Sequence, residues 1–242
     1  MPPHLALWQW LLGAFCAFAV GVAKTGVPGL GIAVVPLMVL AVGDARLAAG
    51  WLLPVLCTAD IFAVVLWRRH AAVGKLFSLA PWVAAGMLLG AAALAMPERI
   101  LRKVVGVIVI LMLCAYLYRR LRGDGRAPAH PAPFGVAAGF ATTVANAAGP
   151  VMNLYLLGKR LTKEEFVATG AWFFFLINLT KVPIYLGHGL ISGASLAFDA
   201  LVAPMVIVGA VMGRWLVGRM TPRVFEATVV ALTLVSTLLL FG

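Results

Sequence analysis

The chain has 242 residues and a mean hydropathy of +1.04, with 63% hydrophobic and 11% charged residues. Soluble domains carry roughly 45–50% apolar and about 25% charged residues, so the composition excludes a soluble globular protein and predicts an all-α polytopic membrane protein. The formal net charge of +11 would suit nucleic acid. However, the basic residues lie in short loops between apolar runs, which indicates membrane orientation and no nucleic-acid partner.

In chain order, the apolar runs predict up to ten helical segments in two sets of five, about eight of which span the membrane fully. The predicted segments are residues 5–23, 30–42, 46–67, 76–95 and 103–118, and then 134–146, 149–158, 165–187, 196–218 and 223–241. The second segment of each set is too short for a hydrocarbon core of roughly 30 Å at about 1.5 Å per residue. We expect each to pair with its predecessor as a hairpin or discontinuous helix.

The sequence lacks the motifs that are typical of several other protein classes. The first segment has no basic region before it and no small-residue cleavage site after it, so we expect a retained helix rather than a signal peptide. The three cysteines lie within apolar runs without metal-type spacing. No phosphate-binding glycine motif of the nucleotide-binding type is present. We therefore expect neither a metal nor another cofactor.

The second set of segments repeats features of the first. The pattern P-x-x-x-x-G-x-x-x-G at residues 81–90 recurs at 204–213, and the glycine-bearing interruption at 21–31 corresponds to 139–149. Duplicated, interrupted hydrophobic segments are typical of transporters built from internal repeats. We predict two inverted-topology repeats, a first half at 1–118 and a second at 134–242, joined by a cytoplasmic linker at 119–133.

The distribution of lysine and arginine predicts the orientation. With the N-terminus outside, thirteen of the 19 basic residues fall on one side, four on the other, and two lie within membrane segments. The side richer in basic residues is cytoplasmic. Because each half has five segments, the halves have opposite orientations and both termini face outward.

The first interruption places a charge and a broken helix within the membrane. Lys24 and Thr25 precede Gly26, Pro28 and Gly29 between two apolar runs. Irregular backbone at this depth occurs where it is buried in protein or lines a cavity, and an intramembrane charge marks a candidate functional site. Pro28 suits the first turn of a restarting helix, whose N–H groups favour an anion. All five residues are candidate substrate contacts; a lysine that extends its ammonium to the interface is the alternative.

The second interruption carries no charge. Asn146, Ala147, Gly149 and, one turn later, Asn153 are the candidate substrate contacts, and Pro150 fits a helix start. Inverted symmetry would direct both helix N-termini to one site near the bilayer midplane. Interhelical hydrogen bonding is the alternative role for either asparagine.

Three further polar residues lie deep in predicted spans. Asn178 and Lys181 share a helix face and are candidate substrate contacts. Asp60, in the corresponding helix of the first half, is predicted to be a counter-ion or a proton carrier, with a structural salt bridge as the alternative. Two lysines and one aspartate leave a formal charge of +1, which a small anion would neutralise.

At these residues the chain resembles the TauE/SafE family of sulfite and organosulfur-anion exporters, also called TSUP. The resemblance is carried by residues 24–29, 67–70, 81–82, 146–150 and 170–183. It implies a secondary transporter of the bacterial inner membrane that exports sulfite, sulfonates or related anions and uses the proton-motive force. The implied partners are a small anionic substrate and the lipid bilayer, with a homodimer as a further option.

Two other functions remain open at this point. One is a channel for the same anions, which the sequence separates poorly from a carrier. The other is an intramembrane enzyme, which would need paired aspartates, a Ser–His pair or a histidine-rich metal cluster. The four histidines are scattered in loops and termini, so we do not expect an enzyme.

Overall fold

The computed structural model describes residues 5–93, 95–122, 131–145, 147–159 and 161–241, and its regular structure there is entirely helical. The ten α-helices of these ranges are α1 (Leu7–Thr25), α2 (Gly31–Val42), α3 (Ala45–Trp67), α4 (Val73–Ala93), α5 (Glu98–Leu121), α6 (Ala132–Ala145), α7 (Ala148–Leu157), α8 (Lys163–Gly187), α9 (Gly193–Arg219) and α10 (Pro222–Leu238). A short 3₁₀ turn (Arg68–His70) follows α3. Each predicted segment corresponds to one helix, so the all-α prediction is confirmed.

Six helices are long and apolar enough to cross a membrane: α1, α3, α4, α5, α8 and α9. The sequence predicts about eight spans. The difference arises because α10 has 17 residues and α6 has 14, fewer than the roughly 20 residues that a straight span requires.

The surfaces of these helices are apolar. Leu11, Phe77, Leu111 and Val211 are each at least 60% exposed. Large exposed apolar surfaces on a monomer mark a contact with a partner or a membrane. Together with the six apolar spans, they define a multi-pass membrane protein.

The short second helices pack as the sequence predicts. α2 packs against α1, and α7 packs against α6. Near the chain start, Gln9 Nε2 donates a hydrogen bond of 2.8 Å to the Ala41 carbonyl. The end of α2 therefore returns to the beginning of α1, as a hairpin requires.

The helices form two compact units, one of Met1–Ala71 and Val167–Thr221 and the other of Ala72–Phe166 and Pro222–Gly242. The first unit contains α1 to α3, α9 and nearly all of α8. The second contains α4 to α7 and α10. Each unit thus combines helices from both halves of the sequence.

In the first unit, α1 and α9 approach each other backbone to backbone. A Cβ on Gly21 would overlap the carbonyl oxygen of Val206, and a Cβ on Gly209 would overlap that of Phe18. Glycine is required at these positions because any side chain would push the helices apart.

In the second unit, α4 and α6 meet in the same manner. A Cβ on Gly139 would overlap the carbonyl oxygen of Val83, and a Cβ on Gly86 would overlap that of Val136. These contacts occupy the positions that correspond, in the sequence repeat, to those of the α1–α9 crossing.

A threonine hydrogen bond is repeated as well. Thr25 Oγ1 donates to the Gly21 carbonyl at 2.9 Å, and Thr143 Oγ1 donates to the Gly139 carbonyl at 2.9 Å. The matched contacts are a structural counterpart of the sequence repeat. The boundaries of the halves and their inverted orientation stay predictions, and the predicted linker 119–133 lies partly outside the described residues.

Candidate functional site

The chain breaks after α1 in a tight turn. The amides of Gly26 and Val27 both donate to the Val22 carbonyl, at 2.9 and 3.0 Å, and end the helix. Gly29 has φ of 110°, a conformation that side-chain-bearing residues rarely adopt. α2 begins only at Gly31, so the expectation that Pro28 opens this helix is wrong: Gly29 separates it from the helix.

Helix packing is a second reason for a glycine at position 26. A Cβ on Gly26 would overlap the backbone of Gly213 in α9. The first break is therefore held against α9 by a glycine–glycine contact. The predicted roles of Gly26, Pro28 and Gly29 as substrate contacts stay predictions.

Lys24 lies in the last turn of α1 and turns its ammonium toward α3. Its Nζ is 2.7 Å from Asp60 Oδ1, and the exposed side-chain fractions are 13% for Lys24 and zero for Asp60. The lysine therefore forms a buried ion pair. This arrangement differs from a lysine that extends to the interface, whose charge stays in water.

The other carboxylate oxygen of Asp60 is bound from α8. Asn178 Nδ2 donates to Asp60 Oδ2 at 2.7 Å. A buried carboxylate needs both a countercharge and hydrogen bonds to be tolerated. Lys24 of α1 supplies the countercharge of Asp60, and Asn178 of α8 supplies a hydrogen bond.

Two more α8 residues complete the surroundings of Lys24. The Lys24 ammonium lies 4.4 Å from the centroid of the Phe174 ring, a distance at which the ring face attracts a cation. Lys181, almost fully buried, lies within electrostatic range of Lys24 and Asp60. We call Lys24, Asp60, Asn178 and Lys181 the polar cluster.

The polar cluster has a formal charge of +1, because it contains two lysines and one aspartate. It lies entirely within the first unit, on α1, α3 and α8. Desolvating an excess positive charge is unfavourable unless an anion accompanies it. The cluster is therefore suited chemically to a small anion.

Thr25 has a different environment from Lys24. Its hydroxyl contacts the carbonyl oxygens of Gly21 and Ala210 at 2.9 and 2.8 Å, and the side chain is fully buried. Its own carbonyl accepts a hydrogen bond of 3.0 Å from Trp67 Nε1. These contacts tie the end of α1 to α9 and to the end of α3; the role of the hydroxyl in substrate binding stays a prediction.

Trp67 is in turn held by an arginine. Arg214 donates to the Leu66 carbonyl at 2.9 Å, and its guanidinium carbon lies 5.2 Å from the Trp67 ring centroid. The Trp67 indole is buried. Trp67 therefore stabilises the first break through its hydrogen bond to Thr25. The basic residues that follow it, Arg68–His70, are also consistent with a topology anchor.

The second break lies in the second unit, between α6 and α7. Asn146 falls outside the described residues. The Ala147 amide donates to the Ala141 carbonyl at 3.0 Å, and Pro150 lies in the first turn of α7, as predicted. A Cβ on Gly149 would meet nothing within 4 Å, so packing does not require glycine there.

Asn153 is buried in α7. Its Nδ2 donates to Thr233 Oγ1 of α10 at 3.2 Å. This is the interhelical hydrogen bond that the sequence leaves open as an alternative to substrate binding. The substrate assignments of Ala147, Gly149 and Asn153 stay predictions.

Sequence reasoning missed the contribution of Phe174 and the direct bond between Asn178 and Asp60. The signal for the first was available: Phe174, Asn178 and Lys181 follow the i, i+4, i+7 spacing of one helix face. The second could not be read from the chain, because it joins residues 118 positions apart on different helices. Trp67 likewise acts on Thr25 from 42 positions away.

Fold and site together define a multi-pass membrane protein with a buried, positively charged polar cluster. The model of the family described as sulfite exporter TauE/SafE matches residues 13–240, and the chain therefore belongs to this family. The resemblance carried by the sequence motifs is thus confirmed, and family membership supports membrane anion transport. No curated protein and no solved structure matches the chain.

Proposed function

We propose that the protein is an inner-membrane secondary transporter that exports a small sulfur-containing anion, such as sulfite or a sulfonate, by alternating access. The polar cluster on α1, α3 and α8 is the proposed anion site. The observation that carries the proposal is the buried pair of Lys24 and Asp60 within electrostatic range of a second lysine, Lys181, in a family of exporters.

The two lysines have different proposed roles. Lys24 already has Asp60 as its partner, so an arriving oxyanion would share or displace the carboxylate. Lys181 is the second lysine of the polar cluster and is proposed to attract the anion electrostatically. Oxyanions accept charge-assisted hydrogen bonds from ammonium groups, which are roughly twice as strong as neutral ones.

Asp60 is proposed to be the counter-ion that pairs with Lys24 between transport cycles. Its oxygens contact Lys24 and Asn178, which supports this role more directly than that of a proton carrier. When the anion binds, Asn178 can retain its hydrogen bond to Asp60 and position the carboxylate.

The location and orientation belong to the same proposal. The termini are proposed to face the periplasm, as the excess of lysine and arginine in the opposite loops predicts.

Sulfite flux into proteoliposomes tests whether the polar cluster binds substrate or serves only as a structural ion pair. We compare the wild type with Lys24→Met and with the double variant Lys24→Met/Asp60→Asn. The single change leaves a buried carboxylate without its cation, whereas the double change removes both charges and relieves this penalty. We expect the double variant to fold and yet to transport no sulfite.

The matched control is the ion pair of the other unit, Arg120 and Glu226, whose nitrogen and oxygen lie 2.7 Å apart. The variant Arg120→Met/Glu226→Gln is expected to transport at the wild-type rate. Recovery of sulfite transport in Lys24→Met/Asp60→Asn would reduce the cluster to a structural ion pair and refute the proposed site.

An anion channel is the alternative function, since a positive cluster would also serve a pore. The same proteoliposomes separate the two. Saturable counterflow supports the carrier, whereas single-channel conductance in a planar bilayer would establish the channel.

A further inference from the structure

Asp199 is a buried carboxylate that lies outside the polar cluster. It lies in α9, 8% exposed, and neither of its oxygens has a hydrogen-bond partner among the described residues. Most buried polar atoms in proteins are hydrogen-bonded, and each exception requires an explanation. An ionised carboxylate in this environment would be strongly unfavourable.

The helix that carries Asp199 does not supply a donor. Asp199 is six residues beyond Gly193, the first residue of α9, so it lies about 9 Å past the helix start. The N–H groups that a helix leaves open are confined to its first turn. There, Ser192 already accepts from the Ser195 amide.

Ser195, one turn before Asp199 on the same face, is also committed. Its hydroxyl donates to the Ser192 carbonyl at 2.9 Å. A serine hydroxyl has a single proton, so it is not donated to Asp199.

The turn of α9 that carries Asp199 packs into an apolar core. Its neighbour in sequence, Phe198, packs between Trp10 and Trp51 at ring-centroid distances of 5.1 and 5.2 Å. Val202, one turn further, belongs to the same hydrophobic core.

Few ionisable groups lie on the helices packed against α9. They are Cys16 and Lys24 on α1 and Arg46, Cys57 and Asp60 on α3. The side chain of Arg46 is outside the described part of the structure. Of the described ones, Cys57 interacts electrostatically with Asp199, and the same thiol interacts with Lys24, Asp60 and Lys181. Cys57 is therefore within electrostatic range of both Asp199 and the polar cluster.

We propose that Asp199 is a proton-binding site, protonated in this conformation, and that its proton couples anion transport to the pH gradient. A neutral carboxylic acid avoids burying an unpaired charge, which explains the missing donors. A metal cation would instead require several oxygen ligands, and the described residues contain no group of three histidine, cysteine, aspartate or glutamate side chains that could hold one. The coupling part of this inference rests on the proposed anion transport.

Infrared difference spectroscopy tests the proton site without any transport. The protein in lipid nanodiscs is compared with Asp199→Asn and with Glu164→Gln, a control that removes a carboxylate at the start of α8. We expect the C=O stretch of a protonated carboxylic acid at neutral pH in the wild type and Glu164→Gln, and its loss in Asp199→Asn. A spectrum unchanged by Asp199→Asn would overturn the proton site.

Proteoliposomes loaded with sulfite test the coupling. Asp199→Asn is expected to keep sulfite counterflow and to lose the uphill transport that a pH gradient drives in the wild type. Wild-type counterflow with no response to a pH gradient, or with a response to a sodium gradient in its place, would overturn the coupling and leave the proposed function intact. Absence of any wild-type sulfite flux would overturn the proposed function and the coupling together, while the infrared band would still decide the proton site.

Discussion

The two helix crossings, α1 with α9 and α4 with α6, share their packing chemistry but differ in charge. Gly21 and Gly139 occupy corresponding positions and make corresponding backbone contacts. Three residues later, however, α1 has Lys24 and α6 has Thr142. Lys24 pairs with a buried carboxylate, whereas Thr142 is uncharged. The repeated glycines thus build a scaffold twice, and one copy alone carries the charge at this position.

This comparison is tested most strongly by removing the charge. Lys24→Met leaves the Asp60 carboxylate buried without its cation and is expected to destabilise the protein by about 3–5 kcal/mol. Arg120→Met, which breaks the more exposed pair with Glu226, is expected to lose only about 0.2–1 kcal/mol. Thermal and denaturant unfolding in detergent measures both losses of stability. Equal losses would mean that the Lys24–Asp60 pair contributes no more to stability than an exposed ion pair.

The shared scaffold is tested at its glycines. Gly209→Ala and Gly86→Ala place a methyl group against a carbonyl oxygen of the partner helix, and each is expected to cost about 1–3 kcal/mol. Gly218→Ala, in the last turn of α9, is the matched control, because a Cβ there meets nothing within 4 Å and alanine has a higher helix propensity than glycine. If Gly86→Ala behaves like Gly218→Ala, the two crossings are not equivalent.

The smallest expected difference is between the two threonines. Thr25→Val removes a fully buried hydroxyl with two carbonyl contacts, and we expect a loss of about 1 kcal/mol. Thr143→Val, which is only partly buried, should lose less. Unfolding midpoints check this order, and a reduced sulfite affinity of Thr25→Val at unchanged stability would assign its hydroxyl to the substrate instead.

Much of the fold was predictable because lipid imposes simple rules on sequence. Apolar runs predict every helix, and the short second segments of each half predict hairpins, since a helix of 10 or 12 residues cannot span the bilayer. The exact start of α2 was not predictable, because it depends on the left-handed conformation of Gly29. The apolar run predicts a start at residue 30, one residue before Gly31, whereas Pro28 taken by itself favours an earlier start.

The polar cluster was only partly predictable. Lys24, Asp60, Asn178 and Lys181 stand out because polar residues are rare in membrane segments. Their pairing depends on how α1, α3 and α8 pack, which no local pattern encodes. The orphaned oxygens of Asp199 could be recognised only from the structure, because its burial results from the packing of α9 against α1 and α3.

Calorimetric titration of sulfite into the purified protein in nanodiscs tests the central claim most directly, namely that the polar cluster binds an anion. We predict saturable binding to the wild type and to Arg120→Met/Glu226→Gln, and no measurable binding to the folded double variant Lys24→Met/Asp60→Asn. Sulfite binding by that variant with wild-type affinity would contradict the account.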